Sequence, residues 1–111
     1  MADIIKVLGQ LAAAATTEED LYAVPNLNSV TASTLVVCNR TAGGLTFRVS
    51  VAPAAATTVD AHYLFYDVPI AANTTVTITI GITLAQKDVV RTYASATGLS
   101  FNLFGVETDT T

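Results

Sequence analysis

The sequence predicts an all-β fold, an antiparallel β-sandwich that is jelly-roll-like, with an immunoglobulin-like sandwich as the alternative. Three observations carry that expectation. Residues 76–84 alternate strictly, with Val76, Ile78, Ile80, Ile82 and Leu84 separated by Thr77, Thr79, Gly81 and Thr83. A period of two belongs to a strand with one face in a core and, here, a threonine ladder on the other. Similar runs recur along the chain at spacings of roughly ten to fifteen residues, divided by Gly, Pro or Asn turns. Between them no stretch carries the 3.6-residue apolar period of an amphipathic helix. At about 3.3 Å per residue the 76–84 strand is long for a small domain, so its neighbours must be long or it must reach a second subunit.

Length and charge narrow the function classes. A chain of 111 residues forms one domain that buries roughly 60–70% of its unfolded surface, enough to fold without staples. Charged residues make up 13%, about half the usual share, so Thr, Ser, Asn and Ala must coat the outside. Such a surface desolvates cheaply against a partner. The basic residues Lys6, Arg40, Arg48, Lys87 and Arg91 stand singly in a chain of net charge -4. Without a basic run, no nucleic-acid partner is expected. Asp3 and the breaks at Lys6 and Gln10 argue against a secretory signal or a membrane span near the N-terminus. The single cysteine, Cys38, sits in an apolar run and is expected as a small buried hydrophobe of a chain made in a reducing cytosol. The sequons at Asn39 and Asn73 then carry no glycan.

The elements follow in order. Residues 4–11 read as an extended arm. Thr16 and Glu19 have capping-box spacing after Ala12 to Ala15, but Val24-Pro25 ends any helix within two turns, which favours a linker into a short strand at 20–24. Residues 25–28 form a turn. In the strand at 29–39, Val30, Ala32, Thr34, Val36 and Cys38 share one face, while Leu35 and Val37 make the other apolar too. Gly43 and Gly44 turn the chain into a hairpin partner at 45–51, lacking the residues of a phosphate loop. After a small-residue loop at 53–58, residues 61–70 hold most of the aromatic mass, with Leu64, Tyr66 and Val68 facing one way and Tyr63, Phe65 and Asp67 the other. Strands at 89–95, with Arg91 and Tyr93 on one face, and at 99–106 complete the set. The expected organisation is an N-terminal arm and linker over 1–19, a sandwich over 20–106 and a polar tail over 107–111.

No constellation for catalysis stands out. Asp60 and His62 would share a strand face, but Asp67 falls opposite, so no metal or other cofactor is expected; a hydrogen-bonded His at a loop edge accounts for the same residues. No Gly-x-Ser-x-Gly elbow exists, and Glu18-Glu19-Asp20 reads as a solvated turn. The chain is expected not to be an enzyme.

Seven segments carry a resemblance: Asp20-Leu21-Tyr22-Ala23-Val24-Pro25, Val36-Val37-Cys38-Asn39-Arg40, Thr46-Phe47-Arg48-Val49, His62-Tyr63-Leu64-Phe65-Tyr66-Asp67, Ile70-Ala71-Ala72-Asn73-Thr74, Leu84-Ala85-Gln86-Lys87-Asp88-Val89-Val90 and Leu99-Ser100-Phe101-Asn102-Leu103-Phe104-Gly105. Their series resembles small virion structural proteins of tailed bacteriophages, including those of cyanobacterial hosts. The resemblance implies a particle component made in the host cytoplasm, with a capsid decoration, or cement, protein as the favoured role. Its implied partners are the major capsid protein and itself, as a homotrimer on the capsid surface, with no membrane. A tail, baseplate or fibre-connecting component is the alternative, and a module binding host-surface glycan through Tyr63 and Tyr66 is another. The expected contact residues are Ile4, Ile5, Val7 and Leu8 in the arm and Tyr63 and Phe65 at a subunit boundary.

Overall fold

A computed structural model describes residues 2–110. Among these the chain forms eight strands: β1 (Ala2–Ala12), β2 (Glu19–Ala23), β3 (Asn28–Asn39), β4 (Leu45–Ala52), β5 (Tyr63–Ile70), β6 (Thr75–Leu84), β7 (Val89–Ala94) and β8 (Leu99–Asp109). They make two four-stranded sheets, sheet A in the order β1-β8-β3-β6 and sheet B in the order β2-β7-β4-β5, and every neighbouring pair is antiparallel. Eight strands that cross repeatedly between two sheets in this order form a jelly roll, distinct from the immunoglobulin arrangement.

The core lies between the sheets. Phe47 of β4 meets Phe101 of β8 edge to face, centroids 6.1 Å apart, within a layer that includes Leu35, Val37, Val49, Val90, Leu99 and Leu103, all fully buried. The strand at 76–84 behaves as its alternation requires: Val76, Ile78, Ile80 and Ile82 are half-buried against the core and the threonines are exposed. It is an edge strand, and its neighbour β3 is indeed long, with 12 residues.

The expected arm is part of the sandwich. Residues 2–12 pair with β8 along their length, because the outer edge of β8 would otherwise leave its backbone groups unpaired beside a partly apolar strand. The same pairing extends β8 to Asp109, so the segment expected as a tail is largely strand. No helix forms over 12–17; Glu19 instead accepts a hydrogen bond from the Ala14 N–H, 2.8 Å.

Register shifts explain where the predicted faces go astray. On β3 the residues Ala32 and Thr34 stand opposite the adjacent residues Gly105 and Phe104 of β8, so Ser33 is an extra residue. A bulge of this kind inverts the side-chain phase beyond it. Val30 and Ala32 therefore point inward before the bulge and Leu35 and Val37 after it, which turns Thr34, Val36 and Cys38 to the outside of sheet A; Cys38 is only half-buried. Leu8 is the corresponding extra residue on β1, between Val7 and Gly9, and its side chain drops into the core. On β5 a shift between Phe65 and Val68, with Asp67 at φ 50°, places Phe65, Val68 and Ile70 against the core and leaves Leu64 and Tyr66 exposed.

One end of the sandwich is tied by Asn39, whose side chain is buried. Its Nδ2 donates to the carbonyls of Gly43 (2.9 Å), Ile70 (3.3 Å) and Ala71 (3.2 Å), and its Oδ1 accepts from the Thr41 N–H (2.9 Å) and hydroxyl (2.7 Å). One amide thus joins the β3–β4 and β5–β6 turns.

Candidate interaction surfaces

Two outer faces carry the exposed chemistry. On sheet B, Arg48 of β4 stands opposite Tyr93 of β7, with its guanidinium 4.4 Å from the Tyr93 ring centroid and 4.2 Å from that of Tyr66. The Asp67 carboxylate closes the group by accepting from Nε at 2.7 Å and Nη2 at 3.3 Å. The left-handed backbone at Asp67 is what aims this carboxylate at the β4 arginine instead of along the pleat. The hydrogen bond to Asp67 raises the Arg48 pKa above its ordinary value, so the guanidinium stays charged. Tyr63 packs edge-on to Tyr66, centroids 4.9 Å apart. The result is a cation held between two rings, with a third ring behind it.

The rest of that face is covered by the chain itself. Arg91 donates to the Ala56 carbonyl (2.6 Å) and the Thr58 hydroxyl (2.9 Å) and pairs with Asp20 (3.1 Å). Thr58 in turn donates to Glu18 (3.0 Å). The 53–62 loop, with single 3-10 turns at Pro53–Ala55 and Asp60–His62, is thereby held over the sheet and buries Ser50, Ala52 and Val89. The acidic run 18–20 is engaged residue by residue and is not a free patch. Asp60 and His62 lie in this loop, where His62 Nδ1 accepts from the Val59 N–H at 3.2 Å. Among the described residues no three His, Cys, Asp or Glu side chains gather as metal ligands would.

On sheet A the outer face is apolar at the β1 edge. Ile5 is 87% and Val7 46% exposed, and they stand opposite Val106 and Phe104 of β8. The four side chains frame a shallow cavity of about 390 Å³ whose floor includes Ser33, the bulged residue of β3. Ile4 is 53% exposed and stands opposite Glu107. Glu107 receives the Tyr22 hydroxyl at 2.6 Å and lies 3.6 Å from Lys6 Nζ. Of the contact residues read from the sequence, Ile4, Ile5 and Val7 are thus exposed, Leu8 is core, Tyr63 is half-buried beside Tyr66, and Phe65 packs inward, its ring 6.4 Å from Phe47. Phe104, Val106, Arg48 and Tyr93 were not singled out by the sequence as surface groups that act together. Their alternation was visible, but not which strands would lie beside them.

Burial, and then the hydrogen bond to Glu107, push the Tyr22 phenol above its ordinary value of 10.0. The unfolded chain loses this proton from about pH 10 while the folded chain keeps it. The contribution is therefore complete below pH 10 and falls as pH rises beyond it. Urea unfolding at pH 8 and pH 11 checks this: Tyr22→Phe costs about 1 kcal/mol at pH 8 and loses less than the wild type between the two pH values. An equal loss in both proteins would remove Tyr22 as the alkaline-sensitive group.

No protein-family model matches the chain, and no curated protein matches it.

Proposed function

We propose that the chain is a non-enzymatic virion structural protein, a capsid decoration protein that binds the shell of the major capsid protein as an oligomer and stabilises it. The observation that carries this reading is the apolar group formed by Ile5, Val7, Phe104 and Val106 on the outside of sheet A, in a chain with only 13% charged residues. A subunit binding only the mature shell stabilises it by its binding free energy at every site, and linked subunits add avidity. The rigid sandwich supplies a preformed face, so little ordering entropy opposes binding. The resemblance of the segment series points to the same class. Glycan binding through Tyr63 and Tyr66 is less well supported: the Arg48 guanidinium already covers faces of Tyr66 and Tyr93, and Tyr63 packs on Tyr66, where a sugar would need open rings.

Copy number is the test. A ratio near one chain per major capsid protein in purified virions is expected, whereas a handful of copies would move the protein to the tail or baseplate. Because β1 is integral to sheet A, deleting residues 1–11 would remove a strand, and point changes are the cleaner probe. Ile5→Lys with Val7→Lys is expected to lower shell occupancy at least about ten-fold by removing two buried apolar contacts, with the circular dichroism spectrum unchanged. Full occupancy by this variant would exclude the β1 edge as the shell-binding face.

A further inference from the structure

We propose that β6 is a self-association edge, pairing antiparallel with β6 of a second copy to join the two A sheets into one sheet of eight strands. This inference is independent of the virion reading. The sandwich has four edge strands, β1 and β6 in sheet A and β2 and β5 in sheet B. An unprotected edge presents unpaired backbone donors and acceptors, and monomeric proteins blunt such edges with charge, proline, bulges or short length. Three of the four are blunted here. β1 carries Asp3, Lys6 and the Leu8 bulge; β2 has five residues, including Glu19 and Asp20, and a register shift; β5 carries Asp67, Pro69 and its own shift.

β6 has neither charge nor proline in its ten residues. No ionisable side chain occurs from Val68 through Gln86. Two copies, each of net charge -4, can therefore pair along β6 without like charges facing one another on that strand. β6 has a bulge of its own at residues 80–81, where two residues stand against Ser33 of β3 and Gly81 has φ 55°. Residues 75–79 remain as the regular run, enough for about four to six backbone hydrogen bonds across a two-fold axis.

The side chains supply a matching seam. Because β5 ends sheet B on the same side as β6 ends sheet A, the inward rows of both strands are only half covered there. Ile78, Ile80 and Ile82 of β6 and Phe65 and Val68 of β5 are all partly buried. Five residues at about 3.3 Å, across two layers about 10 Å apart with their side chains, present roughly 350 Å² per copy, or about 700 Å² for the pair. That is the size of a weak, concentration-dependent contact. An antiparallel strand pair is self-complementary only about a two-fold axis, so the assembly is a dimer and not the trimer that the resemblance implies.

Sedimentation velocity of the full chain from 1 to 100 µM tests this. A species of twice the 11.5 kDa of one chain is expected at the upper concentrations, while a monomer or a trimer throughout would overturn the proposal. Thr77→Lys with Thr79→Lys puts charges on exposed positions that a monomer tolerates but a β6 pair brings together. The expected result is at least a ten-fold weaker dimer, whereas Thr77→Val with Thr79→Val stays dimeric. A lysine variant that dimerises as tightly as the wild type would assign association to another face. Hydrogen exchange on the unaltered chain guards against misfolding of either variant. Amides over 75–79 should gain protection as concentration rises, and protection that does not depend on concentration would sink the pairing.

Discussion

Asn39→Ala is expected to lower the free energy of unfolding by about 3 kcal/mol, seen in urea as a lower midpoint at an unchanged slope. The size follows from what the amide holds. It is 1% exposed, donates to three carbonyls in two turns and accepts twice from Thr41. Alanine leaves those groups without the amide that joins them, and each buried group left unsatisfied costs about 1–3 kcal/mol. Asn39→Asp separates this account from simple loss of packing. It keeps the acceptor for Thr41 but points a carboxylate oxygen at the carbonyls of Gly43, Ile70 and Ala71. The aspartate variant should therefore be at least as unstable as the alanine variant at pH 7 and recover part of the loss on acidification, when a protonated carboxyl can donate. A loss below about 1 kcal/mol for Asn39→Ala, or no acid recovery for Asn39→Asp, would mean that the turns are held by other bonds.

Gly105→Ala should cost about 3 kcal/mol, the upper end of what overpacking a core causes. Gly105 faces inward on β8, opposite Ala32 and Lys6. A methyl group there would overlap the Thr31 carbonyl oxygen and lie 2.9 Å from the Ala32 Cα and 3.1 Å from the Leu8 Cδ1. Two of those neighbours are backbone atoms of β3, which cannot rotate away. Leu8→Ala in the same chain is consequently not expected to rescue the variant, although it removes the third contact. Gly43→Ala is the control, because nothing lies within 4 Å of the added methyl, and its effect should stay within about 0.5 kcal/mol. Similar losses at both glycines would mean that the close approach at Gly105 is relieved by a small shift of the sheet.

Local alternation made the all-β class and most of the strands readable. The run 76–84 could be placed with its faces because β-branched residues at period two fix which side enters a core, whatever the neighbours are. The turns at 25–28, 40–44 and 85–88 were equally legible, since Pro, Asn and Gly restrict or permit backbone conformations locally. The aromatic segment 61–70 was recognisable as a strand for the same reason.

The tertiary structure alone decided which strands lie side by side, and with that the character of each surface. A one-residue bulge costs little locally and inverts every later side chain, so Ser33 and the residues around Asp67 undid the face assignments of β3 and β5 without leaving a signal in composition. Leu8 went to the core and Phe65 beneath β4 for that reason. Residues 2–12 became a sheet edge because β8, almost a hundred positions later in the chain, offers them a full ladder of partners. Arg48, Tyr66 and Tyr93 come from three strands, as the apolar group of Ile5, Val7, Phe104 and Val106 comes from two. Propensity acts over a few residues, whereas these surfaces are set by strand order, which depends on burying both sheets at once.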